Sequence, residues 1–233
     1  MTTGGPSIAG NVARVLERIA AAERRAGRSP GSVKLIAASK MQPLPKILEA
    51  HAAGLSVFGE NYVQEAEEKI PGLPGAEWHM IGRLQGNKVR RAVSLFSWIQ
   101  TADSGKRLEE ISRCAAEAGK IVPVLLEVNL EGEQSKAGIA PAELRRLAET
   151  ALGLPGIRVS GLMAIPPYGI DPEESRPYFV RLRHLRDALA RELPRADLKE
   201  LSMGMSGDFE AAIEEGATMV RVGTAIFGLR GRE

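Results

Sequence analysis

Lys40 closes the apolar run "LIAASKMQP" and stands just before turn and helix-start residues. Side chains alternate along a strand, so Ile36, Ala38 and Lys40 share one face while Leu35, Ala37 and Ser39 share the other. The amine therefore leaves an apolar wall. A partly desolvated lysine loses some of its preference for the charged form, and the free amine attacks carbonyl carbons. The same feature also suits a solvated lysine at a strand end.

A second chemistry lies near the C-terminus. In "LSMGMSGDFEAAIEEG" a strand passes into a helix that Ser206 is expected to cap, and amides at that helix start attract an anion. "RVGTAIFG" adds a second small turn with Gly223 and the Thr224 hydroxyl. Asp208 would repel a phosphate there unless it points away or itself caps the helix. Arg221 shares a strand face with 219 and 223. If that face is interior, the guanidinium needs a buried acceptor, either a carboxylate such as Glu60 or Glu127 or a ligand atom.

Other candidates have plainer readings. His79 beside Trp78 reads as a hydrogen-bonded structural histidine, and with His51 and His184 dispersed no metal cluster is expected. "GEQSKAG" lacks the Walker spacing, and no dinucleotide fingerprint of spaced glycines follows a strand. Met80, Met163, Met203 and Met205 read as strand-end packing.

These residues need a scaffold that gathers strand ends. Strands are expected at 33–39, 55–59, 78–82, 98–102, 122–129, 159–165, 200–203 and 218–223, the fourth being the weakest. Amphipathic stretches alternate with them. "DSGKRLEEISRCAAEAG" has Asp103 or Ser104 as its cap, a stripe at Leu108, Ile111 and Ala115 with Cys114 packing beside it, and Gly119 as its end. "APAELRRLAETALG" and "DPEESRPYFVRLRHLRDALA" follow the same pattern. Eight strand-helix units predict an α/β fold, a single (β/α)8 TIM barrel. An open doubly wound sheet is the alternative. The barrel occupies one domain over 1–233, of which 1–28 form an N-terminal helix packing on it. In such barrels chemistry sits at the C-terminal strand ends.

The 44% hydrophobic and 26% charged content supports a globular core, not disorder. Basic and acidic residues number 31 and 29 and are interspersed, which argues against a nucleic-acid groove or a membrane face. The lone Cys114 excludes an internal disulfide and suits a reducing compartment. No targeting segment or long apolar span is visible, so a cytoplasmic protein is expected.

"LIAASKMQP", "FGENYVQEAEEK", "WHMIGRLQGNK", "EVNLEGEQSKAGI", "GLMAIPP" and "LSMGMSGDFEAAIEEGATMVRVGTAIFG" together resemble the motifs of the pyridoxal phosphate homeostasis protein family, over about 33–227. The resemblance implies a barrel of fold type III, like the N-terminal domain of alanine racemase, with pyridoxal 5'-phosphate (PLP) held as a Schiff base on Lys40. It implies that Ser206, Gly223 and Thr224 cradle the phosphate with Ser202 beside them, and that Arg221 faces the pyridine nitrogen. Asn61, Asn129 and Met163 would complete the cofactor-binding set. Phe209 and Val222 depart mildly from the family pattern, away from these contacts.

Arginine keeps the ring nitrogen unprotonated and so weakens the electron sink that PLP enzymes use. A racemase compensates with a second acid or base across from the lysine, helped by an extra β-domain. This chain ends just after the barrel, and only Tyr62, Tyr168 and Tyr178 are available as substitutes. The expectation is therefore a monomeric carrier, with a dimer as the alternative, that buffers or delivers PLP, apo PLP-dependent enzymes being its partners. A low-activity racemase or decarboxylase is the runner-up, and a Schiff-base aldolase acting through Lys40 is a third reading. Neither Lys88 nor Lys136 is supported by the sequence as the anchor of a second cofactor site.

Overall fold

The computed structural model describes residues 7–132, 137–167 and 171–228. Tyr168 and Lys136 lie outside the described residues. Short apolar runs give eight parallel strands: β1 (Lys34–Ala38), β2 (Val57–Glu60), β3 (Glu77–Met80), β4 (Trp98–Ala102), β5 (Val122–Glu127), β6 (Ile157–Met163), β7 (Glu200–Ser202) and β8 (Met219–Val222). They pair in chain order, and β8 returns to β1 through Ile36 opposite Arg221, which closes the barrel. An open sheet is excluded by that pairing. Several strands stop one or two residues short of the sequence expectation, because the chain turns off the ladder at the rims. The clearest case is Val128, which leaves β5 and bridges Ile139.

The helices are α1 (Ile8–Arg25), α2 (Leu44–Ala52), α3 (Val63–Lys69), α4 (Val89–Leu95), α5 (Gly105–Glu117), α6 (Leu144–Leu152), α7 (Pro172–Glu192), α8 (Phe209–Glu214) and α9 (Thr224–Phe227). Their ends follow local chemistry. Ser7 caps α1, Ser104 and not Asp103 caps α5, and Asp171 with Glu174 forms a capping box on α7. Ser206 does not cap α8. Asp208 occupies that position, and its Oδ1 accepts from the Met205 amide at 2.6 Å.

Two apolar layers hold the fold. Outward strand residues such as Ala37, Phe58, Trp78, Ile99, Leu126 and Leu162 pack under the helices. Inward residues Ile36, Leu125, Met163 and Met219 form a separate interior cluster. Each large side chain so buried contributes about 1.5–3 kcal/mol. Cys114 is buried with the stripe of α5. α1 lies against α2, α8 and α9. Arg18 forms a fork to Glu210 at 2.6 and 2.8 Å and stands over the Phe209 ring. The buried Glu23 accepts from Gly31 N, Ser32 Oγ and Val33 N, which fastens the helix to the entry of β1.

Candidate functional site at the barrel mouth

Ile36 lies in the interior cluster, and Lys40 stands two residues past the end of β1, in the turn at the C-terminal mouth. Ser39 is buried behind the wall, donating to Glu60 Oε1 at 2.6 Å. The β8 side of the mouth lies close. A Cβ on Gly223 would sit 3.1 Å from the Ala38 carbonyl, so glycine lets the β8 turn press against β1 beside Lys40.

Arg221 is buried inside the barrel. Its Nη1 donates to Ser202 Oγ at 2.6 Å and its Nη2 to the Ala164 carbonyl at 3.0 Å. Neither carboxylate foreseen as a partner forms an ion pair with it. Glu60 lies behind the wall with Lys69, while Glu127 acts on Arg221 through charge. Desolvation pulls Arg221 down to about 10, with Glu127 and Asp208 opposing. It is still a cation at neutral pH.

From Arg221 a hydrogen-bonded chain runs down the barrel axis. Ser202 Oγ contacts Gln100 Oε1 at 2.7 Å, Gln100 Nε2 contacts His79 Nδ1 at 2.7 Å, and His79 Nε2 contacts Glu77 Oε1 at 2.7 Å. Arginine is a donor only, which sets every direction. Ser202 accepts from Arg221 and donates to Gln100 Oε1, so Gln100 donates to His79 Nδ1. His79 then donates through Nε2 to Glu77. Burial lowers His79, consistent with a neutral ring, and the hydrogen bond from His79 leads the causes that hold Glu77 down at about 2. Lys34 closes the lower end with a 3.0 Å bond to Glu77. His79 is thus the hydrogen-bonded histidine the sequence suggested. Gln100 and Glu77 went unnoticed, although an amide in the middle of an apolar barrel strand was the available signal.

Above Arg221 the turns after β7 and β8 meet. Ser206 Oγ accepts from the amides of Gly223 and Ala225, each at 3.2 Å. The Ser206, Gly207 and Thr224 amides have no acceptor among the described residues, and Gly207 and Thr224 are exposed. Asp208 is buried and accepts from the Met205 amide. Hydroxyls and open amides suit a phosphate.

Asn61 and Asn129 occupy other parts of the rim. Asn61 is seated by Gly82, where a Cβ would come within 2.5 Å of the Asn61 backbone. Asn129 Oδ1 accepts from Gly132 N at 3.0 Å. Met163 is fully buried in the interior cluster, in the floor and not on the rim. Ser202 is likewise fully buried, its hydroxyl engaged by Arg221 and Gln100. Glu127 ends β5, raised to about 7 by burial and then by Asp103.

A model of the alanine racemase N-terminal domain matches residues 11–231. The chain belongs to this family. Among members of the alanine racemase N-terminal domain family, it is 49% identical over 221 residues to the pyridoxal phosphate homeostasis protein of Aquifex aeolicus, covering 94% of this chain and 96% of that one. It is 45% identical over 232 residues to the protein of the same name from Escherichia coli K12, covering 96% and 97%. The solved structure of PipY from Synechococcus elongatus with PLP bound superposes with a TM-score of 0.82 at 42% identity, covering 92% of this chain and all of that one. Alanine racemase from Corynebacterium glutamicum shares the fold at a TM-score of 0.76 and 20% identity, and this chain spans 63% of its length.

Proposed function

We propose that this protein binds PLP at the mouth of the barrel and serves its homeostasis, buffering the cofactor or delivering it to apo PLP-dependent enzymes, with consequences for amino-acid and keto-acid metabolism. The observation that carries this reading is the closure of β8 onto β1, which sets Arg221 opposite Ile36 on the strand that leads into Lys40. An amine-bearing loop after β1 and a guanidinium on the adjacent β8 enter one mouth, and the neighbouring turns offer open amides and hydroxyls for a phosphate.

Bound PLP supplies an aldehyde carbon for covalent attachment and a pyridine ring able to take up electrons. Lys40 would supply the amine for that attachment. Arg221, fixed by Ser202 and Ala164 O, would donate to the ring nitrogen and keep a proton off it. Ser206, Gly223 and Thr224 hold the phosphate, Asn61 and Asn129 border the open side, and Met163 supplies the apolar floor. A cationic donor at the ring nitrogen favours holding the cofactor over carbanion chemistry. We place this role in the cytoplasm, for a monomer. Among the described residues no helix is long and apolar enough to cross a membrane.

The test is direct. Purified protein with PLP should show imine absorbance, and borohydride should fix the label on Lys40. Lys40→Ala should lose the absorbance while keeping measurable noncovalent affinity. Absorbance unchanged in Lys40→Ala overturns the assignment. Racemisation of an amino acid far above the rate of free cofactor replaces the carrier reading with the racemase.

A further inference from the structure

We infer that an ion cluster behind the barrel wall, Lys69 with Glu60 and Glu65, is the device that positions Lys40. The inference rests on the reading of Lys40 as the covalent anchor. Met41, the next residue, has φ of 60°, and among the described residues it is the one non-glycine residue at positive φ. That backbone region costs a side-chain-bearing residue about 1–2 kcal/mol and persists only where the surroundings over-determine it.

The surroundings do so on both sides of Lys40. The Ser39 carbonyl accepts from Lys69 Nζ at 3.0 Å and from Gln42 N at 3.0 Å. The Met41 amide donates to Glu65 Oε2 at 2.7 Å. Lys69 Nζ also reaches Glu65 Oε2 at 2.6 Å and Glu60 Oε1 at 2.9 Å, and Glu60 Oε1 receives the Ser39 hydroxyl. An ammonium has three donors. All three are spent on the Ser39 carbonyl, Glu60 and Glu65, groups that bear on the two residues flanking Lys40. Glu60 is fully buried and Lys69 nearly so, which makes this an interior cluster and not a solvated surface pair.

Ser39 and Glu60 are buried behind the wall, so the cluster lies on the side of the wall away from the interior residues Ile36 and Met219. It acts on the site through the Lys40 backbone, whereas the ring contact stands on β8 and the phosphate contacts on the turns after β7 and β8. Glu60, Glu65 and Lys69 are therefore positioning residues. In the step they serve, Lys40 Nζ forms a bond to the aldehyde carbon, the carbon–oxygen bond breaks and the oxygen leaves as water, giving the C=N link. Misplacement of a reacting group by ~1 Å slows such a step by up to about a hundredfold.

The experiment compares two ligands on the full chain. Pyridoxal 5'-phosphate reports imine formation; pyridoxamine 5'-phosphate carries an amine instead of the aldehyde and reports noncovalent binding. For Lys69→Met and for Glu65→Leu, the imine-forming rate should fall about tenfold to a hundredfold. The Kd for pyridoxamine 5'-phosphate should stay within about twofold, and Lys69→Arg should recover part of the rate. A wild-type rate in either folded variant, or an equal loss for both ligands, overturns the proposal. If Lys69→Met fails to fold, Glu65→Leu decides, because Glu65 is partly exposed on α3. A wild-type protein that forms no imine defeats the Lys40 reading itself, an outcome distinct from either variant result.

Discussion

The guanidinium of Arg221 and the imidazole of His79 are joined inside the barrel by two side chains, Ser202 and Gln100, through contacts of 2.6, 2.7 and 2.7 Å. Because arginine only donates, the chain has one polarity, from the cation at the mouth to the Glu77 carboxylate at the opposite rim. Arg221 is thus held by the interior and presented to the mouth.

Gln100→Leu should cut this chain at its middle. It leaves His79 Nδ1 without its donor and the Ser202 hydroxyl without its acceptor. Each buried group so stranded costs about 1–3 kcal/mol. Chemical denaturation should therefore show a loss of about 2–6 kcal/mol, and Gln100→Glu should behave differently by forcing protonation changes at His79.

Glu127 sets a pH dependence of stability. Burial and Asp103 raise it from 4.5 to about 7 in the folded protein. Between these values the folded state keeps a proton that the unfolded state has released, so stability is fully present below about pH 4.5 and declines as pH rises through about 7. The size is at most about 3 kcal/mol. Glu127→Gln should flatten that slope and stabilise the cofactor-free protein at pH 8, read from denaturation midpoints at pH 5 and 8.

Glu23→Ala should detach the start of β1 from α1. The lost carboxylate serves two backbone amides and a hydroxyl, and stranding them should cost about 2–4 kcal/mol. A change below about 0.5 kcal/mol in the denaturation midpoint, the level typical of an uninvolved surface site, would show that α1 does not depend on this clasp.

Ser206→Ala with Thr224→Val should weaken the phosphate contacts. The first removes the oxygen that gathers the Gly223 and Ala225 amides, the second an exposed hydroxyl. Loss of two such bonds should reduce the affinity for pyridoxamine 5'-phosphate by about tenfold to a hundredfold, measured by equilibrium titration. Unchanged affinity would move the phosphate elsewhere.

Local patterning was enough to determine the eight strands, the alternating helices and the parity of Arg221, because period-two burial and helix stop residues are written in neighbouring positions. Even the weak strand at Trp98–Ala102 follows from that pattern. Tertiary structure alone decided what Arg221 binds, that Asp208 and not Ser206 stands at the start of α8, and that Ser202 and Met163 lie wholly inside. Closure of β8 onto β1 and the register between strands bring Gln100 beside Ser202 across 102 positions of chain and Lys69 beneath Ser39 across 30. Such contacts depend on three-dimensional distance and on donor capacity, quantities that no short window of residues contains.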